Sequence, residues 1–246
     1  MGIEELIKPI ADIQEEETYS IIIYGEPKVG KTRLASTMGE KYRTLLIDTE
    51  SGTKSIDRDI PHLDGVRLEG GYPQMLKLYE YLAKGDSGYE AVIIDNLRDL
   101  EDRIMRHTIH EFASVKRPYG DSPGQSDYGR TMDLLVRTIK GFRDLPMHVI
   151  FVTWEKLQKD EDVGSKLVPA IVGKSLPEEV IGYIDICARM YKQQTDDGVK
   201  TKLLFTSIPH IAAGDRTGKL PDVMEDPTMS KIFGYLEGDK KKDGKG

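Results

Sequence analysis

The chain has 246 residues, a formal net charge of −7, and 31% charged residues, which suits one large domain or two small ones and excludes a broad basic surface. Cys187 is the single cysteine, so an intramolecular disulfide is excluded and a reducing compartment fits. No apolar stretch approaches membrane-spanning length, the acidic start is unlike a secretory signal, and Leu6 stands where an acylation signal needs Ser or Thr. The expected location is therefore cytoplasmic, with no membrane partner.

Residues 1–17 place Ile3, Leu6, Ile7, Ile10 and Ile13 among acidic groups. They read either as an arm laid over the domain edge or a neighbouring subunit, or as a loosely ordered leader. The stretch Ser20 to Arg33, SIIIYGEPKVGKTR, follows. A β-branched run ends in Tyr24, and Gly25, Gly30, Lys31 and Thr32 complete the phosphate-loop pattern G-x-x-x-x-G-K-[ST]. Two glycines let the backbone curl until several amide N–H groups point inward as an anion site. Gly25, Glu26, Pro27, Lys28, Val29, Gly30, Lys31, Thr32 and Arg33 are thus expected to surround a nucleoside triphosphate. Lys31 would lie across the β- and γ-phosphates, and Thr32 would ligate Mg²⁺. A helix starting near Gly30, with Leu34, Ala35 and Met38 apolar and Gly39 as its stop, adds its dipole beneath the phosphates. The competing reading is a glycine turn that binds nothing.

Thr44–Asp48 (TLLID) reads as a second buried strand and residues 66–68 as a short edge strand. Pro73 opens a helix whose Met75, Leu78, Tyr79 and Leu82 share one face, and Gly85 ends it. Ala91–Asp95 (AVIID) is a third buried strand. A helix from Leu97 to Phe112, a Pro/Gly/Ser-rich loop over 113–127, and a helix presenting Met132, Leu135, Val136, Ile139 and Phe142 come next. Residues 148–153 read as a fourth strand. Residues 155–180 lose periodicity and read as a long functional loop. Residues 184–191 alternate, Asp196-Asp197-Gly198 turns the chain, and 202–206 returns as an antiparallel hairpin. A Lys/Gly/Asp tail over 238–246 is expected to be disordered. Alternating strands and helices indicate an α/β fold, mainly a parallel sheet flanked by helices with a C-terminal antiparallel hairpin, over 18–237.

Asp95, ending a buried strand, is the candidate Mg²⁺ ligand alongside Thr32; the alternative is a helix cap for the segment from Leu97. Hydrolysis also needs a group that orients or deprotonates water. Asn96 follows Asp95 where many related ATPases carry glutamate. Glu50, two residues past Asp48, is the substitute; the alternative is a solvated turn carboxylate. His107 and His110 lie three apart on a helix, without a third metal ligand nearby.

GEPKVGKT, LLIDTE, AVIIDNL, HVIFVT with its long loop, and IDICARM together resemble the RecA-like recombinase ATPase core over residues 18–225. The compact form resembles the phage-encoded single-strand-annealing proteins of the Sak group. The resemblance implies a RecA-like P-loop NTPase core whose fourth strand lies between the first and third, with Glu50 and Lys31 as catalytic residues. It also implies ATP and Mg²⁺ as cofactors, and ATP hydrolysis coupled to single-stranded DNA by a homo-oligomer in the host cytoplasm, with a single-strand-binding protein as a further partner. The family's DNA loops would correspond to 113–127, with Lys116, Arg117 and Tyr119, and to 155–180. Arg216 and Lys219, in AGDRTGKL, are candidates for closing over a nucleotide in the same subunit or the next, the alternative being an ordinary charged loop, and by likeness Lys174 would contact phosphate as a lid or from a neighbour. The sensor position after the fourth strand, Gln or His in the relatives, is occupied by Thr153, Trp154 and Glu155. Two other classes stay open: a P-loop phosphotransferase drawing on Arg103 and Arg106, and a nucleotide-gated interaction protein with little turnover. A guanine-nucleotide switch is disfavoured because no N-K-x-D pattern occurs.

Overall fold

The structure is a computed structural model that describes residues 18–49, 54, 56–57, 59–64, 71–111, 122–160 and 162–238. The N-terminal arm, Glu50, residues 66–68, the segment with Lys116, Arg117 and Tyr119, and the tail beyond Gly238 lie outside the described residues.

Four apolar runs supply the middle of the sheet. They are β1 (Ser20–Gly25), β2 (Thr44–Asp48), β4 (Ala91–Asp95) and the first half of β5 (His148–Asp160). Each is buried on both faces, as parallel strands covered by helices must be. Alternation divides their side chains. Ile22, Tyr24, Ile47, Val92, Ile94 and Phe151 enter one core, with α2 (Tyr72–Ala83), α3 (Leu97–Glu111), α4 (Gln125–Arg143) and α5 (Leu176–Tyr183). Ile21, Ile23, Leu46, Ile93 and Ile150 enter the other, under α1 (Lys31–Ser36) and α6 (Met229–Glu237).

The sheet order is β10-β8-β7-β1-β5-β4-β2-β3, with β3 at His62–Asp64, β7 at Ile186–Thr195, β8 at Gly198–Leu204 and β10 at Val223–Glu225. β6 (Gly164–Pro169) pairs with β5, and β9 (Gly214–Asp215) with β7. The strands from β7 through β3 run parallel, and the strand at 148 lies between the first and third buried runs as the resemblance implied. This is an α/β architecture, a mainly parallel sheet flanked by helices, with antiparallel strands at its C-terminal end.

Three expectations need revision. The return strand of the C-terminal hairpin starts at Gly198 rather than 202, because Asp196 and Asp197 alone form the turn and Gly198 takes φ 114°. The first α-helix ends at Ser36, before the expected stop at Gly39, and a 3₁₀ turn over Thr37–Glu40 contains that glycine. Residues 155–180 are not a loop: β5 runs on to Asp160, turns back as β6, and α5 follows. In EKLQKD the ribbon is held by backbone pairing and Leu157 is 68% exposed, so no burial pattern marks it. Among the described residues no helix is long and apolar enough to cross a membrane.

Candidate functional site

β1 delivers the chain to the carboxyl edge of the sheet, and the loop over 26–30 leaves it at Gly25, the strand's last residue, where no side chain fits. A Cβ on Gly25 would lie 2.2 Å from the carbonyl oxygen of Met190 on β7. Gly30 closes the loop at φ 115°, a conformation open to glycine, and helix α1 begins at the next residue. Lys31 is buried, and its ammonium donates to the carbonyls of Gly25 at 3.0 Å and Glu26 at 2.8 Å. The ammonium therefore lies within the loop's own curl. Arg33 is exposed and pairs with Asp57 at 3.6 Å.

The next residue reaches the neighbouring part of the edge. Thr32 Oγ1 donates to Asp95 Oδ2 at 2.5 Å, across the position of β5. Asp95 is buried, and its main-chain oxygen accepts from Thr49 N at 2.7 Å and from Thr49 Oγ1 at 3.0 Å. The capping role weighed for Asp95 belongs to its neighbour: Asn96 Oδ1 accepts from Asp99 N at 2.9 Å at the start of α3. The Asp95–Asn96 peptide is cis. Two hard oxygens thus converge beside a buried ammonium, the donor chemistry that suits a divalent cation next to phosphate. Among the described residues no group of three or more acidic, His or Cys side chains could hold a metal. His107 packs its ring on Tyr72 instead, 5.3 Å between centroids.

A family model described as an AAA domain matches residues 17–217. The chain belongs to the AAA domain family. No curated protein matches it in sequence. Three solved structures are similar in fold. The flagellar accessory protein FlaH from Methanocaldococcus jannaschii shares 11% identity over 76% of either chain, with a TM-score of 0.41. The KaiC-like protein PH0186 from Pyrococcus horikoshii OT3 shares 11% over 76% of this chain and 78% of that one, with a TM-score of 0.45. An ATPase from the type III secretion system of pathogenic bacteria shares 12% over 81% of this chain and 58% of its own, with a TM-score of 0.48. These are likenesses of chain path alone.

The AAA domain brings Lys31, Thr32 and Asp95 together, but it does not bring Arg216 to them. β9 pairs with the start of β7, so Arg216 sits at the amino edge of the sheet. There it donates to Gly182 O at 2.5 Å and faces Asp185 at 3.6 Å. Sequence order could not tell which end of the sheet this segment would join. In its own subunit Arg216 is therefore remote from the phosphate loop.

Other groups at the carboxyl edge carried no recognisable pattern. Arg103, considered above for a phosphotransferase lid, instead binds Asp99 at 2.8 Å and Thr49 O at 3.3 Å, tying α3 to the end of β2. Glu155 and Arg189 form a mostly buried ion pair at 2.9 Å that joins β5 to β7 across β1. Thr153 is fully buried, with its hydroxyl on Ala170 O at 3.3 Å, while Trp154 is half-exposed beside Gly25 in the sheet register. Glu101 is buried on α3 and accepts from Val172 N at 2.8 Å and Arg98 at 2.7 Å. Burial pushes its pKa up despite those donors. Lys156 donates to Ile171 O and Gly173 O, and burial pulls its pKa down. The segment after β6 is thereby clasped between an acid on α3 and a base on β5. Each such pairing unites positions far apart in sequence, which no local spacing displays.

Proposed function

We propose that this AAA domain is a magnesium-dependent ATPase that works on single-stranded DNA in recombination or annealing, as a homo-oligomer akin to the phage-encoded Sak-group proteins. The observation that carries the ATPase reading is the Thr32–Asp95 contact at 2.5 Å, made by the residue that follows the buried Lys31. A magnesium ion held between those oxygens would supply neutralising charge for the triphosphate. Lys31, already inside the loop, exchanges its carbonyl partners for phosphate oxygens, and the loop amides orient the chain of phosphates. Asn96 caps α3, which leaves the Asp95 carboxylate facing Thr32. Glu50 is assigned to orient the attacking water. Support comes from the residue before it, Thr49, which is bonded to Asp95 at the same edge.

Single-stranded DNA is supported by the β5–β6 ribbon. It continues past the residue level with Gly25, on the edge that carries the phosphate loop, and it presents Trp154 and Leu157 to solvent with Lys159 and Lys166 along it. Aromatic and cationic groups on one projecting element suit a strand whose bases are unstacked. Lys116, Arg117 and Tyr119 are assigned to the same partner. The test is ATP turnover with added single-stranded DNA, duplex DNA and RNA, using Lys31→Ala as the blank. The expected result is stimulation by single strands above the other two. Turnover indifferent to all three, with no gel shift at low salt, would remove DNA from the reading. Glu50→Gln should retain ATP binding and lose turnover, and unchanged turnover would reassign the water-orienting role.

A further inference from the structure

The sheet order places β5 and Asp95 on one side of the phosphate loop and β7 on the other. On the β7 side a cleft of about 320 Å³ opens between the crest of the loop and the β7–β8 ribbon. That volume lies at the small end of the range for ligand sites. Its walls include Glu26 and Lys28 from the loop and Arg189, Tyr191 and Lys192 from β7.

The charges around it are unevenly matched. Arg189 is held by Glu155 at 2.9 Å, and its guanidinium lies over the Tyr191 ring at 5.4 Å. On β8, Lys202 is paired with Glu225 at 2.6 Å and Lys200 with Asp226 at 3.7 Å. Lys28 and Lys192 are exposed and make no ion pair among the described residues. Among the described residues Glu26 is the one acidic wall residue, so the cleft is net positive there, on a chain of net charge −7. Lys28 also holds φ at 64°, where glycine would sit with less strain. A side chain kept at a strained position points to a use for it.

We propose that this cleft binds one nucleotide unit, distinct from the ATP in the phosphate loop, with its phosphate between Lys28 and Lys192 and its base against Tyr191. The unit comes either from a single strand or from a free mononucleotide; the single-strand source rests on the function proposed above. Because Lys28 belongs to the loop that cradles ATP, occupancy of the cleft bears on the loop directly.

The test measures anisotropy of a labelled oligothymidylate at several salt concentrations, with unlabelled dTMP as competitor, for the full chain and three variants. Lys192→Glu should weaken binding at least tenfold and lower the salt slope by about 0.7, the share of one phosphate contact. Tyr191→Leu should weaken it about fivefold or more. Lys200→Glu makes the same charge change on the neighbouring strand outside the cleft, and should move affinity less than threefold. Competition by dTMP, lost in Lys192→Glu, would identify a free nucleotide as the occupant and uphold the site. Equal losses in Lys192→Glu and Lys200→Glu would overturn the cleft while leaving the DNA reading standing. An equal loss of ATP affinity in Lys192→Glu would assign the cleft to ATP's own nucleoside and overturn the proposal. A wild-type chain that binds neither oligothymidylate nor dTMP would bring down this site and the DNA reading together.

Discussion

The two edges of the parallel sheet both carry buried polar groups, yet they differ in what those groups are bonded to. At the amino edge the partners are complementary and closed. Asp185 accepts from Ser20 N at 2.9 Å and Ser20 Oγ at 2.6 Å, His148 accepts from Tyr19 N at 3.0 Å, and Lys219 donates to Leu236 O at 2.9 Å. Such bonds lock strand ends in place. At the carboxyl edge an ammonium donates to carbonyls of its own loop, and a hydroxyl following β1 donates to a carboxylate at the end of β4, with β5 between the two strands. Those partners are exchangeable for phosphate and metal. Burial of polar groups alone therefore does not distinguish a site from a clasp; the exchangeability of the partners does.

The sharpest division between the edges is in function. Lys31→Ala should lower ATP turnover by two orders of magnitude or more, measured by phosphate release, with the melting temperature little changed. A variant that hydrolyses ATP at the wild-type rate would place the chemistry elsewhere.

The amino edge should answer in stability instead. His148 is packed against the Tyr19, Tyr42 and Phe233 rings. Burial lowers its pKa to about 4, more than Glu237 and Glu90 restore. The folded state thus holds the ring neutral while the unfolded chain protonates near 6.5, so the contribution is full above that pH and is lost as pH falls toward 4. The loss is on the order of 3 kcal/mol, read from denaturant midpoints across that window. His148→Gln should flatten the slope; a slope unchanged in that variant would exclude this ring as its source.

Removing the clasp at Asp185 is a smaller perturbation. Asp185→Ala leaves the buried Ser20 N–H without its acceptor and should cost about 1–3 kcal/mol, with ATP affinity unaltered. A shift in ATP affinity would show that the two edges are coupled. The least effect belongs to the ion pair of Lys41 and Glu237, each about a third exposed. A double-mutant cycle there should return under about 1 kcal/mol, and a larger coupling would mean that the neighbouring Tyr42 contact strengthens it.

How much of this was legible beforehand varies with the kind of interaction. TLLID and AVIID announce buried strands because parallel strands hide both faces, and an unbroken apolar run is the visible trace. The helices over 72–83 and 125–143 are legible for the same reason, through one apolar face. The β5–β6 ribbon left no such trace, since it is held by backbone pairing and its exposed Leu157 and tethered Glu155 and Lys156 form no apolar alternation. Nor did Arg216, whose place depends on a two-residue strand joining the amino end of β7. Glu101 and Lys156 look like surface charges until the fold buries the space between them.

The phosphate loop could be read directly from the chain because it is a single contiguous curl, in which two glycines, a lysine and a threonine act on their own backbone. Its surroundings could be read only in part. Asp95 is expected beside Thr32 as the carboxylate ending a buried strand, and the place of the strand at 148 comes through a family resemblance, but which cations remain unmatched beside the loop is set by pairings between distant segments. Those pairings depend on the packing of the whole sheet, and they exist only once its strands have found their order.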